Sequence, residues 1–197
     1  QLKNKYYADW ICRFYCDNQV PTEIINELIE LKSEVIIIDT IGNWKFNLER
    51  FKAIDDPNVD FVIFRDADSR LNQRESKAVE EWMNNNKTIH IMKDHPMHGI
   101  FPILAGMWGI NKKKFHFNME KMIISYKNLN LEDQYFYDQI FLANYIWPNF
   151  YQDCTIHDEF FIKNKFPTSR IKNEFVGQVF DENDNTPEEH IKALYSI

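Results

Sequence analysis

The stretch Phe61-Val62-Ile63-Phe64-Arg65-Asp66-Ala67-Asp68-Ser69-Arg70 constrains this chain more than any other. Four apolar residues in succession predict a strand buried on both faces, the usual state of a central parallel strand between helix layers. The run then stops in charge. Residues i and i+2 of a strand share a side, about 6.6 Å apart at Cα, so Asp66 and Asp68 are expected to aim two carboxylates at one point. Ligands of open α/β sheets sit beyond the carboxyl ends of the strands, where this pair falls. Asn72 and Glu75 then fit a capping box that opens a helix through about Met83. Asp-x-Asp recurs by chance, so the context carries the information. Two readings stand: a metal or phosphate site, or a salt-bridged turn among Arg65, Asp66, Asp68 and Arg70.

The other elements alternate around that strand. Trp10 to Tyr15 reads as a strand, and Pro21 starts a helix whose apolar stripe runs to about Lys32. Glu34 to Asp39 holds a second buried strand, and Leu48 to Ile54 a short helix. After the Asp66/Asp68 strand and its helix, Thr88 to Met92 is a strand, and Ile100 to Ile110, with Pro102, Gly106 and Gly109, a bent or bulged one. Phe117 to Tyr126 and Leu131 to about Ile146 are expected helices, the second capped by Asn130 and ended by Pro148. Cys154 to His157 is a last strand, and a short helix closes the chain. Strand–helix alternation of this kind predicts one α/β domain with a mainly parallel sheet flanked by helices, spanning residues 1–197.

Composition narrows the function. The net charge is −7, and the basic block Lys112-Lys113-Lys114 stands alone, which argues against a nucleic-acid backbone as partner. A nucleotide needs only a local positive site. No apolar run reaches the length of a membrane span and no signal-peptide pattern opens the chain. Cys12, Cys16 and Cys154 lack a C-x-x-C pairing, which suits a reducing, cytoplasmic setting without disulfides or a cysteine zinc site.

Further carboxylates and histidines are candidates. Asp94 lies just beyond a strand end, on the expected rim of Asp66, or else caps the turn at His95-Pro96. His95 and His98 frame an H-x-x-H, but Pro96 argues against the helix a zinc pair would need. With Asn130 as N-cap, Asp133 sits at N3, where the helix dipole favours negative charge, and Gln134 follows it. The same position offers a carboxylate and an amide facing a cleft. His157 ends the last strand, ahead of Lys163 and Lys165. Arg50, Arg65 and Arg70 read as surface or salt-bridged residues.

With these pieces placed, the chain resembles the metal-dependent, nucleotide-sugar-using glycosyltransferases of the GT-A fold, a Rossmann-related architecture. Phe61 to Arg70 looks like their strand-plus-DxD element, and the resemblance implies that Asp66 and Asp68 serve a divalent cation, Mn²⁺ or Mg²⁺, on the donor diphosphate. It also implies a second role for Arg50, Arg65 and Arg70, adding positive charge at that diphosphate. His157 and Lys165-Phe166-Pro167 are similar to the late His and Lys-Pro pattern of glycogenin-like and bacterial galactosyltransferase-like members, which implies His157 on the metal and Lys165 on the diphosphate. Glu132-Asp133-Gln134 resembles the acidic element facing the sugar, which makes Asp133 the first expected catalytic carboxylate and Asp94 the second. Asp94-His95-Pro96 and Gly106-Met107-Trp108-Gly109 look like a group of bacterial and viral transferases with an FRDADSR-type motif, implying sugar or acceptor contacts from His95, Gly106, Met107 and Trp108. The implied partners are a nucleoside-diphosphate sugar and a glycan or other hydroxyl acceptor. The family's first strand, which holds the base, has no counterpart before Tyr6 and is expected in preceding residues. The rival readings are a haloacid-dehalogenase-like phosphohydrolase, whose motif Ser69-Arg70 breaks, and a non-catalytic nucleotide- or sugar-binding module.

Overall fold

The computed structural model describes residues 1–162 and 164–196. Among the described residues, six short strands form two sheets. β1 (Arg13–Cys16) pairs in parallel with β2 (Glu34–Ile37), and four strands form the larger sheet in the order β3 (Phe61–Phe64), β5 (Trp108–Asn111), β4 (Ile89–Lys93), β6 (Cys154–Asp158).

The larger sheet is mixed, which corrects the expectation of a mainly parallel one. β5 runs antiparallel to both β3 and β4, whereas β4 and β6 are parallel. The link from β4 to β5 holds only a 3₁₀ turn, Pro96–Gly99, so no helix carries the chain back to the start of the sheet. A connection without such a crossover leaves the antiparallel pairing. β5 therefore forms only at Trp108, and the segment from Ile100 to Met107 is turn, not bent strand. β3 lies at the sheet edge, and Phe61, Val62 and Ile63 are half-buried, not buried on both faces. Its apolar run is explained by local partners: Phe61 meets Trp82 edge-on, and Phe64 stacks on Trp108 at 4.8 Å.

The helices follow their apolar stripes. α1 (Leu2–Tyr6) precedes β1, and α2 (Thr22–Glu30) links β1 to β2. α3 (Gln73–Asn84) turns Ala78, Val79 and Trp82 inward, and Asn72 Oδ1 caps it by accepting the Glu75 N–H at 2.9 Å. A long 3₁₀ helix, Trp44–Asp55, and α4 (Met119–Lys127) cover the core with Leu48, Phe51, Ile54, Met119 and Ile123.

The expected helix from Leu131 begins instead at Tyr137. Asn130 and Phe136 take left-handed φ of 50° and 71°, which interrupts helical backbone before α5 (Tyr137–Phe141). Helical chain then continues through a π turn, Leu142–Ile146, into α6 (Trp147–Phe150). Pro148 does not end it: the preceding residue, Trp147, bonds five back to Leu142, and proline at the second position of the next helical segment is tolerated.

β3, β4 and β6 point the same way, so Phe64, Lys93 and Asp158 end on one rim. The C-terminal segment crosses that rim from β6 back to β3. Asn164 O accepts from Asp158 N, Val176 N donates to the Asp94 carboxylate, Val179 bridges Ser69, and Phe180 N donates to Asp68 O. α7 (Glu188–Ala193) follows.

Candidate functional site

Asp66 and Asp68 lie on a turn just past β3, not on a continuation of the strand: Asp66 O accepts from both Ser69 N and Ser69 Oγ. The arginines beside them are engaged elsewhere. Arg65 Nε pairs with the buried Glu75 at 2.6 Å and its Nη1 donates to Phe64 O and Trp108 O; Arg70 pairs with Asp184 at 2.7 Å. A local salt-bridged turn is therefore not what holds the two aspartates. Arg65 is an internal brace for α3 and does not face the rim as a donor-binding group.

The cation that meets Asp66 is Arg50, from the 3₁₀ helix. Its Nη1 reaches Asp66 Oδ1 at 2.6 Å and its Nη2 reaches Asp138 Oδ2 at 2.9 Å. Gly106 stands against the other side of Asp66, where an added Cβ would collide with the carboxylate. Burial and then the neighbouring Asp66 charge push the Asp68 carboxyl above its ordinary value. Burial likewise raises Asp138, against the opposing pull of Arg50. Arg50 Nε, Tyr137 OH and Gln139 Oε1 are buried here with no hydrogen-bond partner among the described residues, unusual for native polar groups. The result is an asymmetric cluster of Asp66, Asp68, Arg50 and Asp138, with Asp66 open to solvent and Asp138 nearly closed off.

Several sequence-based assignments move. Asp133 is not at N3 of its own helix; its Oδ1 accepts the Lys45 N–H at 2.9 Å and caps the 3₁₀ helix that carries Arg50. Gln134 supplies a main-chain carbonyl to Tyr137 N, and its side chain is exposed. The aspartate that reaches the cluster is Asp138, which the sequence reading passed over. The available signal was that Asp138-Gln139 repeats the Asp133-Gln134 pair within the stronger apolar stripe.

Asp94 is fully buried and bound by Arg74 through both carboxylate oxygens, by Arg170 at 2.7 Å, and by Val176 N at 3.0 Å. It locks the C-terminal segment onto the rim and has no free edge for catalysis. His95 is buried, with Nδ1 accepting from Met97 N and Nε2 at 2.8 Å from His190 O, so it holds a turn and not a sugar. Trp108 is fully buried between Phe51 and Phe64, and Met107 packs under Gly177 in the core. Of the Gly106-Met107-Trp108 run, only Gly106 touches the cluster.

His157 is not brought to the aspartates. It lies on β6, three strand spacings from β3, roughly 14 Å across the sheet. Its Nδ1 is 2.8 Å from His90 Nε2, and its Nε2 lies 3.4 Å from Glu81 of α3. Burial holds both imidazoles below the usual histidine range. Lys165 sits at the β6 end of the rim, between Asn164, which bridges Asp158, and Phe166, which packs on His157. Lys163 lies outside the described residues. No group of three His, Cys, Asp or Glu side chains forms a closed metal-binding set among the described residues.

Compared with protein-family models, curated proteins and solved structures, the chain matches none. No helix is long and apolar enough to cross a membrane among the described residues.

Proposed function

We propose that the chain is a metal-dependent glycosyltransferase of GT-A type, moving a sugar from a nucleoside-diphosphate donor to a hydroxyl acceptor. One observation carries the reading: two adjacent carboxylates past a strand end, one raised by burial and then by the other's charge, with the flanking arginines turned away. Like charges held together in this way favour a cation. Oxygen donors select a hard divalent ion, and Mg²⁺-type sites take one or two carboxylates and complete the shell with phosphate and water. Two aspartates that gather no third such ligand among the described residues fit a shared site better than a closed structural one.

Asp66 and Asp68 would hold the ion, which when bound supplies Lewis-acid neutralisation of charge on the departing diphosphate. Arg50 adds a fixed positive charge beside them, and Asp138 holds Arg50 in place. In the transfer, the bond from the anomeric carbon to the diphosphate oxygen breaks, and its electron pair leaves with the phosphate. The acceptor oxygen bonds to that carbon and its proton passes to a carboxylate. Asp138 is our choice for that base, as the carboxylate of the cluster outside the metal pair, and general-base help of this kind is worth about 10²–10⁴-fold.

The test is donor turnover across a panel of nucleoside-diphosphate sugars, with and without Mn²⁺ or Mg²⁺. Turnover should need the metal, and Asp68→Asn should abolish it while leaving the fold intact. Metal-stabilised binding without turnover would favour the non-catalytic module, and release of phosphate from an aryl phosphate would favour the phosphohydrolase.

A further inference from the structure

Beside the cluster runs a row of aromatic rings that the core does not use. Trp44 and Tyr135 are 43% and 61% exposed, yet they touch edge-to-face at 4.9 Å. Tyr135 continues to Phe136 at 4.2 Å, and Phe136 to Phe101 at 5.2 Å. Scattered exposed aromatics are ordinary, but a contiguous row gives solvent an apolar ledge.

The row is tied to the site by the chain itself. Each of the three segments that supply its rings also supplies a part of the cluster. The 3₁₀ helix carries Trp44 and Arg50, the loop before β5 carries Phe101 and Gly106, and the entry to α5 carries Phe136 and Asp138. The bond from Lys45 N to Asp133 clamps the first of these segments to the third. Phe136 keeps its left-handed backbone at the junction, a conformation that a bulky residue adopts at a cost.

We infer that Trp44, Tyr135, Phe136 and Phe101 form a platform for the apolar face of a pyranose ring in the acceptor. This rests on the glycosyltransferase reading and names its acceptor class. A pyranose offers one face of C–H groups and an edge of hydroxyls. Aromatic faces suit the first, and side-chain acceptors suit the second. Asp133 and Gln134 adjoin Tyr135 in the chain, and Asp138, two residues after Phe136, is joined to Asp66 through Arg50. The carboxylates of Asp66, Asp68, Asp133 and Asp138 outnumber the cations Arg50 and Lys45 there, which favours a neutral polyhydroxylated ligand over an anionic one.

Ligand-observed saturation-transfer NMR with methyl glucopyranosides and galactopyranosides tests this, without donor or metal. Transfer to ring protons is expected, with binding about tenfold weaker in Trp44→Ala and Tyr135→Ala and preserved in Trp44→Phe. In the native protein, the Trp44 indole N–H resonance, assigned from its absence in Trp44→Phe, should shift along the same titration. That second measurement remains readable if either alanine variant fails to fold. No transfer to any pyranoside, an unmoved Trp44 resonance, or equal binding in a folded Trp44→Ala would overturn the platform. Preferential binding of free nucleosides, or of alkyl chains in alkyl glycosides, would overturn the sugar assignment. Sugar binding without donor turnover would refute the transferase alone, and turnover with no pyranose at Trp44 would refute the platform alone.

Discussion

Asp133 and Asp138 differ in what their carboxylates touch, and the difference is measurable. Asp133 caps the helix start at Lys45, so Asp133→Asn should cost about 1 kcal/mol of stability and leave sugar transfer near its normal rate. Asp138 faces Arg50 in the cluster, so Asp138→Asn should lower transfer by about 10²-fold or more. Melting temperature and turnover measured on both variants separate the roles, and normal turnover in Asp138→Asn would remove that residue from the chemistry. Asp138 also predicts a pH effect on stability. Its carboxyl is raised above 3.8, so its contribution is fully present below that value and is lost as pH rises through the folded-state pKa. Replacing it with Asn should flatten that part of the stability profile.

At the scale of elements, the C-terminal segment is held across the sheet rim by buried charge. Arg74 of α3 and Arg170 of the segment both close on Asp94, which is 0% exposed. Removing one member of a buried ionic set leaves the others uncompensated, a loss of about 3–5 kcal/mol. Asp94→Ala is therefore expected to show a large drop in chemical-denaturation midpoint, with the folded fraction still able to turn over donor. A variant of normal stability with abolished turnover would return Asp94 to catalysis. The same segment also seats Phe180 N on Asp68 O, a bond that Asp94 does not make and that keeps the aspartate turn in place in the folded fraction.

Among the described residues the molecule buries the imidazoles of His90, His95 and His157 and partly buries that of His98, and the loss of solvent holds each below its usual pKa, His98 down to about 3. A histidine that the fold keeps neutral contributes stability present above the unfolded value of 6.5 and lost as pH falls towards the folded one. The unfolded chain takes up protons that the native state refuses. Global stability should therefore decline on acidification below 6.5, most steeply before about 3, and His98→Phe should reduce the slope if its packing is kept. A flat denaturation profile across that window would contradict the neutral assignment.

Local chemistry was legible in the linear chain. The apolar run at Phe61–Phe64, the Asn72 cap of α3 and the position of Asp66 and Asp68 past a strand end all depend on neighbours within a few residues, and the sequence displays those directly. What required tertiary structure was every question of partnership. β5 entered the sheet antiparallel because a link without a crossover helix allows no other direction. Arg50 reaches Asp66 and Asp138 across the fold, whereas Arg65 and Arg70, adjacent in sequence, turn to Glu75 and Asp184. Asp133 caps a helix 88 residues away while Asp138 takes the place beside the cluster, and His157 meets His90 instead of the aspartates. The physical reason is the same throughout: backbone preference acts over one or two turns, but a charge is satisfied by whichever opposite group packing brings within about 3 Å.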